Sequence, residues 1–131
     1  MSNIGYLIVI HPDIRIEILK VDDLHPSYTD MIGGDVFSCQ CGMIPCRDVV
    51  LVLDANAYRA GKAFNPFATF LRGFSDSPIY GSVVISHCTE VPYRLNPFTH
   101  EGFKIIFEFV ERLKSYYLYL GDVVFNKVIK S

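Results

Sequence analysis

The sequence lacks the features that mark several large classes of protein. It contains no stretch close to the roughly 18 consecutive apolar residues that a membrane-spanning helix needs. The sequence has 12 lysine and arginine residues and 14 acidic residues, which gives a formal charge of −2. It therefore lacks the excess of positive charge that proteins use to bind nucleic acid. The apolar run at 6–10 is too short for a secretory signal and follows no basic segment. We therefore expect a cytoplasmic protein that binds neither membranes nor nucleic acid.

Motifs of common catalytic sites are also missing. The sequence has no Gly-x-Ser-x-Gly elbow, no phosphate-binding glycine loop followed by lysine, and no His-Glu-x-x-His pair. Its acidic residues near the first predicted helix are spread out, whereas a hydrolase pair needs two carboxylates that converge. We therefore predict that the chain is not an enzyme. Its 4 cysteines are expected to be reduced thiols, because disulfides are rare in the cytoplasm.

The composition provides ample material for one hydrophobic core. Of the 131 residues, 50% are hydrophobic and 14% aromatic, against 20% charged. A chain of this length forms one domain and buries roughly two thirds of its unfolded surface. We predict a single α+β domain over 1–131, with a sheet core at 1–90, a long C-terminal helix at 96–121 and a tail at 122–131.

Apolar patterning predicts an antiparallel sheet of about five strands. Continuous apolar runs at 4–10 and 49–53 are typical of strands buried on both faces, and 49–53 is the candidate central strand. Isoleucines alternate with charged residues at 14–18, which predicts a half-buried strand in a hairpin with the first. The strand expected last in the sheet is 80–86. The five predicted strands are 4–10, 14–18, 35–41, 49–53 and 80–86.

Capping residues mark two short helices. A helix within 22–32 is expected to end at Gly33 or Gly34, because glycine adopts a left-handed backbone easily. Asn65 followed by Pro66 is typical of a helix start, since asparagine caps the helix and proline fits its first turn. This second short helix is predicted to cross the sheet.

The longest predicted helix begins at Asn96-Pro97 or at Thr99 and ends near Leu120, with Gly121 as its cap. The tail after it is compatible with a strand or with a short helix. Apolar residues at helical spacing predict the buried face of the long helix. They are Phe103, Ile106, Phe107, Val110, Leu113, Tyr117 and Leu120.

The same helix carries more apolar residues than packing on one sheet face requires. Surplus apolar surface marks interaction sites, and interfaces are enriched in aromatic residues. We predict a non-catalytic protein-binding module that forms a homodimer or binds another protein. The competing interpretation is that the helix is sandwiched between the sheet and the tail. The predicted interface residues are Ile105, Phe109, Tyr116 and Tyr119.

Four short segments resemble one known family. They are Ile32-Gly33-Gly34, an apolar strand ending in Asp54-Ala-Asn-Ala57, Asn65-Pro66-Phe67-Ala68, and Tyr80-Gly81-Ser82-Val83-Val84-Ile85. Over about residues 6–85 the chain resembles a family of small phage- and bacteria-borne proteins catalogued only as a domain of unknown function, number three-eight-four-six. The chain departs from it at Asp35, where comparable members have an aromatic residue. The resemblance implies a virus or mobile-element source, action in a host cytoplasm, and no assigned activity or functional residues.

Cysteine spacing leaves a structural zinc site open as an alternative function. Cys39 and Cys41 are two residues apart on a predicted strand, so both project to the same side. Together with Cys46 and Cys88 they would supply the four sulfur ligands of a tetrahedral zinc ion. Otherwise Cys39 and Cys41 pack beside Phe37 in the core as small hydrophobes, or Cys41 and Cys46 form a redox pair.

Binding of a small nucleotide-like ligand is the other alternative function. Basic and aromatic residues flank the irregular segment 58–74, near a predicted helix N-terminus. Guanidinium groups and aromatic rings hold such an anion by stacking and hydrogen bonding. Otherwise this is a solvated loop that its aromatic residues anchor to the core. The predicted ligand contacts are Arg59, Lys62, Arg72, Tyr58 and Phe70.

Overall fold

The computed structural model describes residues 4–22, 26–73, 77–90 and 93–130, with side chains described up to residue 121. The predicted α+β class, with an antiparallel sheet and a long C-terminal helix, is confirmed. The strands are β1 (Gly5–Ile10), β2 (Ile16–Val21), β3 (Val36–Gln40), β4 (Val49–Asp54), β5 (Val83–Glu90) and β6 (Tyr93–Asn96). The helices are α1 (Tyr28–Ile32), α2 (Pro66–Arg72) and α3 (His100–Lys130).

The described strands form one antiparallel sheet with β5 in its middle. The strand order is β2-β1-β5-β4-β3. β4 lies between β3 and β5 with every residue buried, as expected of an apolar run, but the prediction that 49–53 is the central strand is wrong because β5 takes that place. β5 pairs with β1 through its first half and with β6 through its second half. β1 and β6 therefore share one side of β5, opposite β4.

Helices cover both faces of this sheet. Side chains of a strand alternate between faces, so Ile8 and Ile10 of β1 join one apolar cluster while Leu7 and Val9 join another. The first cluster is the larger one and lies between the sheet and the pair α2 and α3. The second lies under the single short helix α1. The core is thus thickest on the side where α3 packs.

The predicted glycine cap of α1 is confirmed, and a serine that was not predicted caps its other end. Ser27 begins α1, and its Oγ accepts a hydrogen bond from the N–H of Asp30 at 3.3 Å. Gly33 ends α1 with φ of 67°, and its N–H donates to the carbonyl of Thr29 at 2.9 Å. A left-handed φ at this position favours glycine over any residue with a side chain.

Asn65 does more than cap α2. Its Oδ1 accepts from the N–H of Ala68 at 3.0 Å, and Pro66 occupies the first turn, as predicted. Its Nδ2 also donates to the carbonyls of Ile10 at 3.0 Å and Gly81 at 2.8 Å. The side chain is fully buried. One amide group therefore fixes α2 against the end of β1 and the turn before β5.

α3 differs from its predicted boundaries at the C-terminal end. It begins after Thr99, whose Oγ1 accepts from the N–H of Gly102 at 3.2 Å. The prediction that Gly121 ends the helix is wrong, because α3 continues through residues 122–130 of the predicted tail. An interior glycine costs only about 1 kcal/mol, so favourable neighbours can carry a helix through it. Within the described residues, α3 and the other helices lack a segment long and apolar enough to cross a membrane.

Two further predictions about the sheet are corrected. The strand at 80–86 is not the last one, because β6 follows it and pairs antiparallel with β5. Tyr93 and Arg94 of β6 are exposed and Leu95 is only half-buried, so this edge segment lacks the apolar run that identified the interior strands. Phe37 on the edge strand β3 is 48% exposed and not a core residue. An edge strand with one neighbour leaves its side chains open to solvent.

The buried amide of Asn65 generates the first prediction. Asn65→Ala should lower the free energy of unfolding by about 3 kcal/mol, because it removes a helix cap and leaves two buried carbonyls without donors. Urea unfolding monitored by circular dichroism measures the change. Asn96→Ala is the matched control, because Asn96 is also followed by proline and phenylalanine, and it should cost less than about 1 kcal/mol. Equal losses for the two substitutions would contradict this role.

Candidate interaction surface on the C-terminal helix and neighbouring clusters

One face of α3 packs against the sheet and α2. The predicted buried stripe is confirmed, since all seven of its residues are buried or half-buried against the larger core cluster. Near the start of α3 the ring of Phe103 stacks on Tyr6, with centroids 4.9 Å apart. Further along, the ring of Tyr117 lies 5.6 Å from Phe67 and 5.3 Å from Phe70. The helix is therefore fixed in rotation about its axis.

A second stripe runs along α3 outside this core, and we call it the outer stripe. Its members recur at alternating intervals of four and three residues, which places them on one helical face. At 100° per residue the centre of this face lies about 120° around the helix from the core face. The outer stripe consists of Ile105, Phe109, Arg112, Tyr116 and Tyr119.

The outer stripe is largely open to solvent. Ile105 is 68% exposed, Tyr116 51% and Tyr119 64%. Phe109 is half-buried, because it lies at the border between the outer stripe and the core. The four predicted interface residues thus share one face. Arg112, the fifth member, was not predicted, although the spacing of the other four identifies its position.

A buried ion pair joins the ends of several elements on the other side of the molecule. The carboxylate of Asp54, at the end of β4, is 4% exposed and accepts from Lys62 Nζ at 2.8 Å. It also accepts from the N–H groups of Asp35 at 3.0 Å and Asn56 at 2.9 Å. The hydrogen bond from Lys62, followed by that from the N–H of Asn56, holds the pKa of Asp54 below its usual value.

The glycine pair after α1 makes room for this carboxylate. A Cβ atom placed on Gly34 would lie 2.2 Å from Cγ of Asp54, so no larger residue fits there. Lys62 Nζ additionally donates to the carbonyls of Ile32 at 2.8 Å and Gly33 at 3.1 Å. The ammonium group thereby links the end of α1 to the end of β4.

This geometry changes the predicted ligand site. Lys62 directs its donors to Asp54, Ile32 and Gly33, and is not available as an anion contact. Phe70 is 2% exposed and packs in the core, which corrects its assignment as a stacking residue. Arg59 is exposed, while Arg72 is half-buried and donates to the carbonyl of Ser77 at 3.4 Å. Tyr58 is the remaining predicted contact that lines a cleft.

That cleft has a volume of about 330 Å³ and lies at the end of β4. Tyr58 and Tyr80 form part of its wall, with ring centroids 5.1 Å apart. Asp54 contributes a carboxylate that is already paired with Lys62. The described lining therefore offers aromatic surface without the cluster of cations that the ligand prediction requires.

The cysteines do not assemble into the predicted zinc site. Cys39 and Cys41 lie on the α2 and α3 side of the sheet, whereas Cys88 belongs to the cluster under α1. Cys46 is exposed in the loop before β4. In the part of the chain that the structure describes, no group of three or more histidine, cysteine or acidic residues is placed to hold a metal ion. The sheet separates Cys88 from Cys39 and Cys41, so these sulfurs do not meet around one ion.

Burial sets the chemistry of two of these thiols. Desolvation, with a smaller contribution from neighbouring Cys39, raises the pKa of Cys41 to about 12. Its Sγ donates to the carbonyl of Leu71 at 3.6 Å. Desolvation, together with nearby Asp48 and Glu90, also raises the pKa of Cys88. Both side chains therefore remain neutral thiols at physiological pH.

A hydrogen-bonded chain of Ser82, His11 and Glu17 was missed from sequence. His11 Nδ1 lies 2.7 Å from Ser82 Oγ, and His11 Nε2 lies 2.7 Å from Glu17 Oε1. Because a carboxylate only accepts, Nε2 donates to Glu17, while Nδ1 and the Ser82 hydroxyl lie within hydrogen-bond distance of each other. The chain braces the β1–β2 hairpin against the start of β5. No local pattern signals it, since Ser82 and His11 are 71 residues apart.

Comparisons with protein-family models, curated proteins and solved structures gave no match. The resemblance to the domain-of-unknown-function family therefore remains a prediction. The structure does show that segments carrying this resemblance meet in space. Gly34 contacts Asp54, and Asn65 bonds the carbonyl of Gly81. These residues position strands and turns of the fold.

The depressed pKa of Asp54 generates a prediction about pH. A folded-state pKa below the unfolded value of about 3.9 stabilises the fold above that pH, and the contribution falls as pH drops toward the folded pKa. Asp54→Asn should therefore lower the free energy of unfolding by about 2 kcal/mol at pH 7 and by less at pH 3. Urea unfolding at the two pH values measures this.

Asp13→Asn is the matched control for the pH experiment. Asp13 is an exposed carboxylate 3.8 Å from Arg15, so its loss should change stability by less than about 0.5 kcal/mol at either pH. An Asp54→Asn effect that is the same at pH 7 and pH 3 would show that charge at this position does not stabilise the fold.

Thiol burial predicts the order of alkylation. Iodoacetamide at pH 8 should modify Cys46 in the folded protein, while Cys41 and Cys88 should react only after denaturation, because they are buried neutral thiols. Peptide mass spectrometry over time measures each site. Cys46→Ser should remove the fast phase. If all four cysteines reacted slowly and a zinc chelator made them react fast, that result would instead support the predicted metal site.

Proposed function

We propose that this chain is a non-catalytic protein-binding module that acts through the outer stripe of α3 and forms a homodimer. The observation that carries the proposal is that Ile105, Tyr116 and Tyr119 are each more than half exposed on one face of α3. The family resemblance extends the proposal to a virus- or mobile-element-encoded protein that acts on a host component in the host cytoplasm.

The energetic argument starts from exposed apolar area. Each large apolar side chain that becomes fully buried contributes roughly 1.5–3 kcal/mol. Ile105, Tyr116 and Tyr119 are each more than half exposed on one rigid helix. Their contact with a partner orders few new groups, because α3 is already formed and held in rotation by the core. An apolar face on a preformed helix is typical of helix-to-helix binding.

The non-catalytic part of the proposal rests on what the other clusters do. Asp54 and Lys62 satisfy each other and nearby backbone groups. The Ser82, His11 and Glu17 chain has the order of groups in a nucleophile relay. Its carboxylate, however, is 46% exposed, so water weakens the contact that would orient the imidazole. Bracing of the hairpin is the role its geometry favours.

The two alternative functions receive less support. The ligand proposal loses Lys62 and Phe70 as contacts, and the cysteines of the zinc proposal lie on both sides of the sheet. Neither alternative is favoured by a specific contact of the described residues.

The test changes two exposed members of the outer stripe to residues that keep the helix. Ile105→Gln with Tyr116→Gln should leave the free energy of unfolding at low concentration within about 1 kcal/mol, because both side chains are largely solvated. The same pair should raise the dimer dissociation constant at least about 100-fold, since tenfold corresponds to about 1.4 kcal/mol. Light scattering across a concentration series measures association.

Leu118→Gln is the matched control on the same helix. Leu118 is also exposed, but it lies about 160° around α3 from Tyr116, so association should be unchanged. A large loss of stability at low concentration in the double variant would place the outer stripe in the chain's own fold and contradict the proposal. Covalent labelling of Ser82 by a fluorophosphonate, lost in Ser82→Ala, would contradict its non-catalytic part.

A further inference from the structure

The outer stripe has the spacing of a coiled-coil seam. Its intervals are four, three, four and three residues, which is the a and d pattern of a heptad. Phe109 and Tyr116 take the a positions, and Ile105, Arg112 and Tyr119 take the d positions. The partner that fits such a face is another helix with the same repeat. Among the described residues, α3 is the helix that carries it.

We infer that the occupant of the outer stripe is the α3 helix of a second copy of this chain, packed antiparallel. This inference rests on the proposed function and deepens it by naming the partner and its orientation. In an antiparallel pair an a position faces a d position of the partner. Ile105 then lies opposite the partner's Tyr116, and Phe109 opposite the partner's Arg112.

Charge selects this orientation over the parallel one. In a parallel pair d faces d, so Arg112 would lie against the partner's Arg112 inside the seam, where two like charges repel. In the antiparallel pair the guanidinium meets the ring of the partner's Phe109, an attractive cation–π arrangement. Glu108 precedes Phe109 by one residue and brings a carboxylate to the same place. In the antiparallel pair, Arg112 therefore faces groups of the partner that attract its positive charge.

The antiparallel register also uses nearly all of the part of α3 whose side chains are described. Pairing Ile105 with the partner's Tyr116 puts the two-fold axis between Val110 and Glu111. Residues 101–120 of each helix then overlap over about 30 Å, at 1.5 Å per residue. Because the outer stripe lies about 120° around α3 from the core face, the second helix lies beside α3 and not on the sheet. The sheets of the two copies therefore lie on the outer sides of the helix pair.

Site-directed disulfides test the orientation directly. In a Cys46→Ser background, which removes the exposed native thiol, single variants Ile105→Cys and Tyr116→Cys are oxidised alone and as a mixture. We expect disulfide-linked dimers in the mixture, because positions 105 and 116 face each other. Each variant alone should give few, since its two identical sites would be about 16 Å apart along the helix axis, too far for a disulfide. Non-reducing gels and peptide mass spectrometry measure the linkage.

Leu118→Cys in the same background is the position control and should link to neither variant. Disulfides between two copies of the same single variant would overturn the antiparallel orientation. A monomeric mass of the unmodified protein at the highest concentration would overturn pairing with a second copy. The proposed function fails separately, when Ile105→Gln with Tyr116→Gln destabilises the fold at low concentration or leaves an observed association intact.

A charge exchange tests Arg112 independently of cysteines. Arg112→Glu should raise the dimer dissociation constant at least about tenfold, because its carboxylate would face Glu108 and the negative face of a Phe109 ring in the partner. Adding Glu108→Arg should restore association by reversing both charges. No effect of Arg112→Glu, or no rescue by the second change, would overturn the assigned register.

Discussion

The carboxylate of Asp54 is the constraint on which much of this fold depends. A buried anion is costly unless charge and hydrogen bonds compensate it, so its surroundings must be arranged around it. Lys62 supplies the charge, and two backbone N–H groups supply further donors. Gly34 has no side chain because the carboxylate occupies that space. The end of β4, the exit from α1 and the turn after β4 are thereby fixed to one point.

The two faces of the sheet bury apolar clusters of different size. α1 covers one side of the sheet with a single turn or so of helix, whereas α2 and α3 bury the larger cluster on the other. α3 is much longer than the contacts with its own sheet require. Its core face packs against the sheet and α2, while most of the outer stripe stays exposed to solvent. The proposed association would therefore use a different face of α3 from the one that stabilises the fold.

Much of the fold was predictable, because it depends on local patterns. Apolar runs located β1 and β4, and capping residues located α2 and the start of α3. The failures have physical causes. β6 is a short edge strand with exposed residues, so it carries no apolar run. The predicted end of α3 is wrong because Gly121 was interpreted as a C-terminal cap, although one glycine inside a helix costs only about 1 kcal/mol.

For the candidate site, too, features that depend on local spacing were predictable and features that depend on distant contacts were not. That the proposed interface residues share one face of α3 was predictable, since Ile105 and Tyr116 keep their angular relation in any straight helix. Lys62, Phe70 and the cysteines were misjudged because their roles depend on partners distant in sequence. Lys62 pairs with the carbonyl of Ile32, 30 residues away, and no local pattern reveals such a contact. Sequence spacing likewise cannot show that Cys88 faces the other side of the sheet from Cys41.

The position of β1 has a consequence for how the chain folds during synthesis. β1 pairs with β2 on one side and with β5 on the other, where Ile8 lies opposite Ile85. β1 therefore lacks one of its two neighbouring strands until β5 has been synthesised. The β1–β2 hairpin is local in sequence, but it exposes the unpaired edge of β1 to solvent until then. Pairings between distant segments slow folding and prolong the exposure of such edges. We therefore expect nascent chains that end before β5 to depend on chaperones, whereas chains that extend past it fold independently.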